Sequence, residues 1–400
     1  MVARRPAFFL LPVIYLGFIS LGLPDGTLGV AWPAIYPELG LPIGLVGTIT
    51  IVVTLLSGAA GFSSGRIIAR FQTGPVVMVS CALTGSALLL VAHAPGLAWL
   101  VIAAVPLGLG AGAVDAGLNG FVARHYSGRH MNWLHACWGL GATCGPLVMG
   151  QAVISAAGWR GGYLLLGAVQ LTLALLFLLT LRLWASVPER ATPATDKETS
   201  LSAGILAADS TAGWLSPAIF ALYAGLEATT GLWVASILMV GRGFSPGVAA
   251  LCTAGFYGAI TGGRILVGFV VDRWGNRTLV SIGAMAALVG AGLFVVATST
   301  LTVAVALVVL GLGLAPVYPC LMHEVPRRFA ANAAQTVIGR QSGAANLGVA
   351  IIPAAAGWLA QRHIESIPWV VVAGALGLIV SIRWLDRLSG GASPAPAAVE

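Results

Sequence analysis

The chain has 400 residues, of which 58% are hydrophobic and only 8% are charged, and its mean hydropathy is +0.94. Soluble domains carry charged residues at roughly a quarter of their positions, so this composition excludes a large soluble domain and places most of the chain in lipid. The net charge of +7 would suggest nucleic acid in a soluble protein, but here it follows membrane topology and indicates no nucleic-acid partner.

Apolar tracts of about 20 residues, enough to cross a bilayer as a helix, recur along the chain. We therefore predict an all-α membrane protein with twelve transmembrane helices. The first tract follows Arg4 and Arg5 and continues past Trp32 without a small-residue cleavage site, so we interpret it as a span and not a secretory signal. The predicted spans are residues 8–33, 44–68, 74–93, 97–121, 132–156, 160–186, 214–240, 247–271, 278–297, 300–323, 337–360 and 366–385.

A polar stretch separates the sixth span from the seventh. It contains the sequence PERATPATDKETS, which is rich in charged and turn-forming residues and has no apolar core of its own. We predict an N-terminal six-helix half (1–186), a cytoplasmic linker (187–213), a C-terminal six-helix half (214–387) and a disordered cytoplasmic tail (388–400).

The distribution of basic residues predicts the orientation in the membrane. With the N-terminus inside, only Arg160, Arg242 and Arg362 fall outside, and the positive-inside rule therefore places both termini in the cytoplasm. We expect a multi-pass protein of the plasma membrane or bacterial inner membrane. The residues placed at the cytoplasmic side are Arg66, Arg70, Arg124, Arg129, Arg182, Arg190, Lys197, Arg264, Arg273, Arg277, Arg327, Arg328, Arg340, Arg383 and Arg387.

Six residues of the first half recur as the same residue at one constant offset in the second half, which indicates an internal duplication. A unit with an even number of spans repeats in the same orientation, so we predict two parallel six-helix repeats around a central solute path. The matched residues are Gly65, Arg70, Gly108, Gly110, Arg124 and Gly145 in the first half, and Gly268, Arg273, Gly311, Gly313, Arg327 and Gly348 in the second.

Three acids, Asp25, Asp115 and Glu227, lie inside apolar spans. An ionisable group there costs about 2.5–3.5 kcal/mol and usually faces a cavity. Each could instead be a structural carboxylate bonded to the backbone or to a neighbouring amide. Asp115 and Asn119 are four residues apart and therefore project from one face of the fourth span. We predict that these acids face a cavity between the halves near mid-membrane.

Further polar and aromatic side chains could line this cavity. Asn132 and His135 share one face of the fifth span, although near its end they could equally cap or anchor the helix. The rings of Trp233, Tyr257 and Tyr318 suit a polyhydroxylated solute, although aromatic residues in spans more often pack or face lipid. The predicted substrate-binding residues are Asp25, Asn119, Asn132, His135, Glu227, Trp233, Tyr257, Tyr318 and Asn346.

No nucleotide-binding loop and no zinc-protease motif is present in the sequence. It lacks G-x-x-x-x-G-K-[ST] and H-E-x-x-H, and its five cysteines have no metal-ligand spacing. We therefore expect no enzymatic activity, no cofactor and no metal, and an ion gradient or passive flow in place of ATP. Because desolvation disfavours a charged carboxylate, protons are the favoured coupling ion, with Asp115 as the principal proton-coupling residue and Asp25 as the second. We expect a monomer.

The segment Gly268-Phe-Val-Val-Asp272-Arg273-Trp-Gly275-Asn-Arg277 resembles the G-x-x-x-D-R-x-G-R-R-like motif of the major facilitator superfamily. The resemblance implies the major facilitator fold and a cytoplasmic gate in which Asp272 and Arg273 form a latch in one of the alternating states. The first-half counterpart has Ala69 in place of the acid. The predicted gate residues are Gly65, Arg70, Gly268, Asp272, Arg273, Gly275 and Arg277.

Within the superfamily, Asp25, Asp115 and Asn119 match functional positions of the fucose–proton symporter group, and Tyr223-x-Gly225-x-Glu227 resembles its seventh-span pattern. This resemblance implies proton-coupled uptake of a sugar or similar polar solute. An alternative stays open, because Gly141-x-x-x-Gly145-Pro146 followed by Gly150 resembles the fifth-span signature of proton-driven drug exporters. A receptor or scaffold without transport is the third possibility.

Overall fold

The computed structural model describes residues 5–126, 128–185, 210–329 and 331–389, and within these ranges the regular structure is helical. Twelve helical segments in these ranges are long and apolar enough to cross a membrane, which confirms the predicted number. The N-terminal helices are α1 (Arg5–Gly22), α2 (Thr27–Glu38), α3 (Leu45–Phe71), α4 (Thr73–Ala92), α5 (Leu97–His125), α6 (Gly128–Ile154) and α7 (Gly158–Ala185). The C-terminal helices are α8 (Thr211–Ser236), α9 (Pro246–Trp274), α10 (Asn276–Val296), α11 (Thr300–Leu314), α12 (Val317–Arg328), α13 (Ala331–Ala360) and α14 (Ser366–Ser389).

The first span is not the continuous helix predicted over residues 8–33. It breaks between α1 and α2, where Gly26 adopts a left-handed conformation with φ of 73°. A side chain is excluded there, because a Cβ at Gly26 would lie 2.8 Å from the Tyr257 ring and 3.0 Å from Pro146. The break places Asp25 in a short turn inside the bundle. The tenth span is similarly divided at Pro316, between α11 and α12.

Packing within the two halves shows the internal repeat directly. Gly108 lies against Val53 of α3, and its counterpart Gly311 lies against Phe256 of α9. Val53 and Phe256 are related by the same sequence offset as Gly108 and Gly311. Small residues allow such close helix approach in membranes, and the two halves use them at equivalent places.

The two ends of the bundle differ in charge. We call the end that carries Arg70, Arg273 and Arg327 the basic end, and the end that carries Arg160 and Arg242 the opposite end. Helices of both halves run between these two ends.

An ion pair closes each half at the opposite end. In the first half, Arg160 Nη2 lies 2.9 Å from Glu38 Oε1, and Trp159 Nε1 donates to Glu38 Oε2 at 2.6 Å. In the second half, Arg242 forms two 2.9 Å hydrogen bonds with Glu365. Each pair ties the end of the first span of its half to the start of the sixth span. The pairs therefore hold the spans of one half together.

The two halves touch each other at the opposite end. Gly29 of α2 lies against the backbone of Gly231 and Leu232, and Gly47 of α3 lies against Ala354 of α13. Such backbone-to-backbone contacts leave no room for water or solute between the halves at this level.

The bundle opens toward the basic end. Along α3 and α13, which belong to different halves, a Cβ built on Gly47 lies 2.6 Å from Ala354, one built on Gly58 lies 4.0 Å from Asn346, and one built on Gly65 meets no atom within 4 Å. The structure is therefore a conformation closed at the opposite end and open at the basic end. The predicted linker and tail lie almost wholly outside the described residues, and their boundaries stay predictions.

Candidate functional site

Asp25 lies in the turn between α1 and α2 and is partly exposed. Its Oδ2 atom accepts a hydrogen bond of 2.8 Å from Trp138 Nε1 of α6. No hydrogen bond to its Oδ1 atom is present among the described residues. A carboxylate that keeps a free oxygen at the centre of a membrane protein is suited to binding a proton or a hydrogen-bond donor of a solute.

Glu227 of α8 forms an ion pair inside the bundle. Its Oε2 atom lies 3.3 Å from Arg264 Nη2 of α9, and it also accepts a hydrogen bond from the Tyr223 hydroxyl group. The same Arg264 nitrogen donates to the Tyr223 hydroxyl oxygen at 3.1 Å. The side chains are 24% exposed for Arg264 and 14% exposed for Glu227, so the pair is largely shielded from solvent.

Arg264 also joins the two halves. Its Cζ atom lies 5.5 Å from the centroid of the Trp138 ring, a cation–π distance. Because Trp138 donates to Asp25, a continuous chain of contacts runs from Asp25 through Trp138 and Arg264 to Glu227. We call these four residues the central chain. Its first two members belong to the first half and its last two to the second.

Sequence reasoning misses two members of the central chain. The positive-inside argument assigns Arg264 to the basic residues of the cytoplasmic side, whereas the structure places it in a buried ion pair. It lies inside the predicted span 247–271, so the argument applied to intramembrane acids applies to it as well. Trp138 could not be predicted from the sequence, since a tryptophan in a span does not indicate which face of its helix lies toward the centre of the bundle.

Asp115 and Asn119 lie together on α5, as predicted. Asn119 Nδ2 donates to Asp115 Oδ1 at 2.9 Å, and Asp115 is exposed. Gly112, on the same face of α5, contacts the backbone of Ser57 in α3. The Asp115 carboxylate is within electrostatic range of both Asp25 and Tyr318, which places it at the opening between the halves and not toward lipid.

Three further predicted residues lie near this group. The Tyr257 ring packs against Gly26 of the first half and Gly231 of α8, so it lies between the halves. Tyr318, at the start of α12, has its ring centroid 6.0 Å from that of Tyr223. Asn346 of α13 is exposed, and its Nδ2 atom lies 4.0 Å from a Cβ built on Gly58 of α3.

The remaining predicted binding residues are placed differently. His135 of α6 is exposed and makes an edge contact with Phe18, with ring centroids 5.8 Å apart. The side chain of Asn132 lies outside the described residues. Trp233 is fully buried, and its Nε1 atom donates to the Pro353 carbonyl at 3.0 Å. The structure does not bring Trp233 to the cavity in this conformation, because its polar tip and its ring are already engaged.

The predicted gate residues lie at the basic end. Arg70, Asp272 and Arg273 are exposed, and no ion pair of Asp272 is present among the described residues. Gly65 and Gly268 face open space, and Gly275 ends α9 with φ of 76°. An exposed, unpaired Asp272 fits a latch that is open when the basic end is open.

Arg277 belongs to a cluster that the sequence did not predict. Its Nε atom lies 3.2 Å from Oε2 of Glu324 in α12, and Glu324 Oε1 accepts hydrogen bonds from Asn276 at 3.0 Å and Arg327 at 2.9 Å. Glu324 is only 4% exposed. The cluster ties the start of α10 to the end of α12. The acid lies at the end of the predicted span, where it could have been noticed.

A sequence profile of the Major Facilitator Superfamily matches residues 14–339, and a second match covers residues 215–399. The chain belongs to the Major Facilitator Superfamily. This superfamily chain is 27% identical over 322 residues to an uncharacterized transporter, y4wD, of Sinorhizobium fredii (strain NBRC 101917 / NGR234), an alignment that covers 76% of this chain and 78% of that protein.

Solved structures share the fold of this Major Facilitator Superfamily protein. A bacterial homologue of the human lysosomal transporter Spinster, inward-facing and unoccupied, aligns with a TM-score of 0.81 at 14% identity, over 98% of this chain and 100% of that one. A point mutant of the nucleoside transporter NupG gives 0.78 at 13% identity over 95% and 100%. A D-xylose–proton symporter gives 0.73 at 16% identity over 95% and 97%. The protein is thus a multi-pass membrane transporter, and the match to the fucose–proton symporter group stays a prediction.

Proposed function

We propose that the protein is a secondary active transporter that takes up a sugar or similar small polar solute together with protons, by alternating access. One observation carries the proposal: acids of both halves, Asp25 and Glu227, are joined by the central chain at the base of a cavity open at one end. A solute bound there touches both halves, and a change in the charge of the acids alters the contact between them.

The positive-inside rule supports a cytoplasmic basic end with both termini in the cytoplasm. In that orientation the structure is inward-facing, which is also the state named for the Spinster homologue of the same fold. The fold performs proton-coupled sugar transport in the D-xylose–proton symporter and nucleoside transport in NupG, and both solutes are rich in hydroxyl groups. These names support the class of solute and do not identify it.

We assign proton coupling chiefly to Asp115. Exposed to the cavity, it can exchange protons with the open end, and Asn119 holds it in place. A carboxylate that loses its proton and is then enclosed leaves a desolvated charge, so the empty, deprotonated carrier resists reorientation. Asp25, whose Oδ2 atom is fixed by Trp138, is proposed to bind the solute and share the proton.

Transport in proteoliposomes tests the proposal. A panel of pentoses, hexoses and nucleosides is assayed with and without an imposed proton gradient. Asp115→Asn should abolish gradient-driven uptake yet retain solute counterflow, because the amide imitates the protonated acid. Asp25→Asn should impair counterflow as well. Glu38→Gln, an acid outside the cavity, is the matched control. Wild-type transport indifferent to pH and uncouplers, or accumulation by Asp115→Asn, would refute the assignment.

Proton-driven efflux is the second candidate, favoured by the packing of α6. Gly141 contacts the backbone of Ile19 in α1, and Gly145 contacts the backbone of Leu23 directly after it, so the glycines of the exporter-like signature do form a close helix contact. Vesicles of defined orientation separate the two functions. Symport predicts accumulation driven by a proton gradient in the same direction as the solute, whereas efflux predicts that the opposite gradient drives transport.

A further inference from the structure

The halves meet along two helix pairs, α3 with α13 and α6 with α9, and the two pairs separate at different levels. A Cβ built on Gly58, midway along α3, reaches only the tip of the Asn346 side chain among the described residues, at 4.0 Å. By the offset of the repeat, Gly58 corresponds to Thr261 of α9. Thr261 is tightly packed, because a Cβ built on Gly139 of α6 would lie 2.8 Å from its Cγ2 atom. At this level α6 and α9 are still in contact, whereas α3 and α13 have separated.

The next turn toward the basic end shows the same difference. Arg264 of α9 lies 5.5 Å from the Trp138 ring of α6 and bridges that pair of helices. The equivalent residues, Gly61 and Gln341, contact α5 and α8 of their own halves instead. From Gly58, α3 continues toward the basic end for about 20 Å, more than the roughly 15 Å hydrocarbon depth of one leaflet. The cavity therefore opens sideways between α3 and α13, within the depth of the bilayer. We call this opening, from Gly58 to the basic end, the side gap.

The side gap has both polar and apolar walls. On α13, Ser342 and Asn346 are exposed and lie one turn apart, and Ser342 interacts with Tyr318 of the cavity. On α3, Phe62 lies one turn from Gly58 on the same face and is 91% exposed. A polar edge thus adjoins the cavity, and an uncovered aromatic ring lies on the opposite wall.

Glycines leave the side gap unfilled. A Cβ built on Gly65 of α3, or on Gly339 or Gly343 of α13, meets no atom within 4 Å. Carbon atoms pack at about 3.5–4.0 Å, so the space admits a hydrocarbon chain. The bilayer beside the gap offers only apolar groups at this depth. A molecule that suits both the cavity and the gap is polar at one end and apolar at the other.

We propose that the side gap holds the apolar chain of an amphipathic solute, whose hydroxyl-bearing head lies in the cavity near Asn346 and Asp115. Such a solute enters sideways from the leaflet at the basic end. The inference rests on the proposed function and deepens it, because it names the solute class as a hydroxyl-rich head with one hydrocarbon chain.

The first measurement tests whether hydrocarbon reaches the side gap. Protein with its five native cysteines replaced carries bimane on Ser342→Cys, in nanodiscs whose lipids bear a nitroxide on one acyl chain. The lipid should quench the bimane, and Gly58→Leu should reduce this quenching at least twofold because leucine fills the gap. The matched control is Gly262→Leu of α9, where the same side chain also enters open space, and it should leave the quenching unchanged. Octyl β-D-glucoside should relieve the quenching by displacing the lipid chain. Quenching that it does not relieve assigns the gap to a bilayer lipid and overturns the proposal.

The second measurement is equilibrium binding of radiolabelled n-alkyl β-D-glucosides, from methyl to octyl, to protein in nanodiscs, with binding to empty nanodiscs subtracted. Wild-type affinity should rise with chain length, by up to about fourfold for each methylene group. In Gly58→Leu the octyl compound should bind no more tightly than the methyl compound, whose affinity stays at the wild-type value. Gly262→Leu should keep the wild-type increase. Phe62→Ala, a second variant in case Gly58→Leu does not fold, should weaken binding of the octyl compound alone.

Two results overturn the inference. One is wild-type affinity that does not depend on chain length, or binding of every compound no greater than to empty nanodiscs. The other is quenching and chain-length dependence that persist unchanged in folded Gly58→Leu and in Phe62→Ala. Failure of the proposed function looks different: wild-type transport would be indifferent to the proton gradient, while the quenching and the chain-length dependence remain.

Discussion

A methyl group added at Gly29 should shift the protein away from the conformation described here. Gly29 lies on α2 at the opposite end, where the halves meet, and a Cβ there would lie 2.5 Å from the Leu232 carbonyl oxygen and 2.8 Å from that of Gly231. Both neighbours are backbone atoms, which cannot turn aside as a side chain can. Gly29→Ala therefore forces the halves apart at this end.

The contact at Gly29 sets the size of the shift between the two conformations. Extra methyl groups in a packed interface cost about 1–3 kcal/mol. The higher helix propensity of alanine acts on α2 in every conformation and cancels from the ratio of states. If the cost falls only on the state closed at the opposite end, the ratio of that state to the state open there should fall by about 5–150-fold.

Accessibility labelling measures this ratio. The five native cysteines are replaced by serine or alanine, and a reporter cysteine is placed at Ser342, which is exposed on α13. A bulky maleimide should label the reporter more slowly in Gly29→Ala, because the basic end closes as the opposite end opens. The control is Gly292→Ala on α10, outside the predicted gate, whose added methyl group meets no atom within 4 Å. Equal labelling rates for Gly29→Ala and the wild type, in protein of normal thermal stability, would contradict the view that this contact holds the closed end together.

Two further predictions concern the basic end. Gln72 has φ of 67° and ψ of 162°, a region that suits glycine, and its counterpart in the second half is Gly275. Relief of about 1–3 kcal/mol of backbone strain at Gln72 is offset only in part by the roughly 0.5–1 kcal/mol that glycine costs in chain entropy, so Gln72→Gly should raise the apparent Tm and Gly275→Gln should lower it. A lower Tm for Gln72→Gly would contradict this expectation. Asp272→Asn should raise the labelling rate of Ser342→Cys, because it removes the latch of the state that is closed at the basic end. The Tm should stay unchanged, because Asp272 is unpaired in the conformation described here. A labelling rate equal to that of the wild type would rule the latch out.

The spans can be predicted from sequence because each is a long apolar tract whose boundaries depend only on local composition. The repeat can be predicted because Gly108 and Gly311 are needed for the same close helix contact in each half. Intramembrane acids stand out because their cost in lipid makes them rare. None of these three features depends on how a helix is rotated about its axis.

The composition of the cavity depends on helix rotation and on local breaks, which hydropathy does not determine. Trp233 and Trp138 are both tryptophans in spans, yet the first is buried against α13 and the second joins the central chain. Likewise, the turn that presents Asp25 arises from contacts of Gly26 with Tyr257 and Pro146, residues distant in sequence. Arg264 could have been predicted as a site residue if the cost of an ionisable group in lipid had been considered for intramembrane arginines as well as for acids.

The ion pairs at the opposite end also bear on how the two halves diverged. By the offset of the repeat, Glu38 and Arg160 correspond to Gly241 and His363, while Arg242 and Glu365 correspond to Leu39 and Gly162. The contact between the first and last spans of a half therefore has its acid on the first span in the N-terminal half, and its base on the seventh span in the C-terminal half. The two pairs therefore occupy non-equivalent positions of the repeat and have opposite polarity. A chimera that replaces residues 155–162 by the equivalent residues 358–365 would remove Arg160 and place Glu365 near Glu38, so these segments of the two halves cannot be exchanged without losing the ion pair.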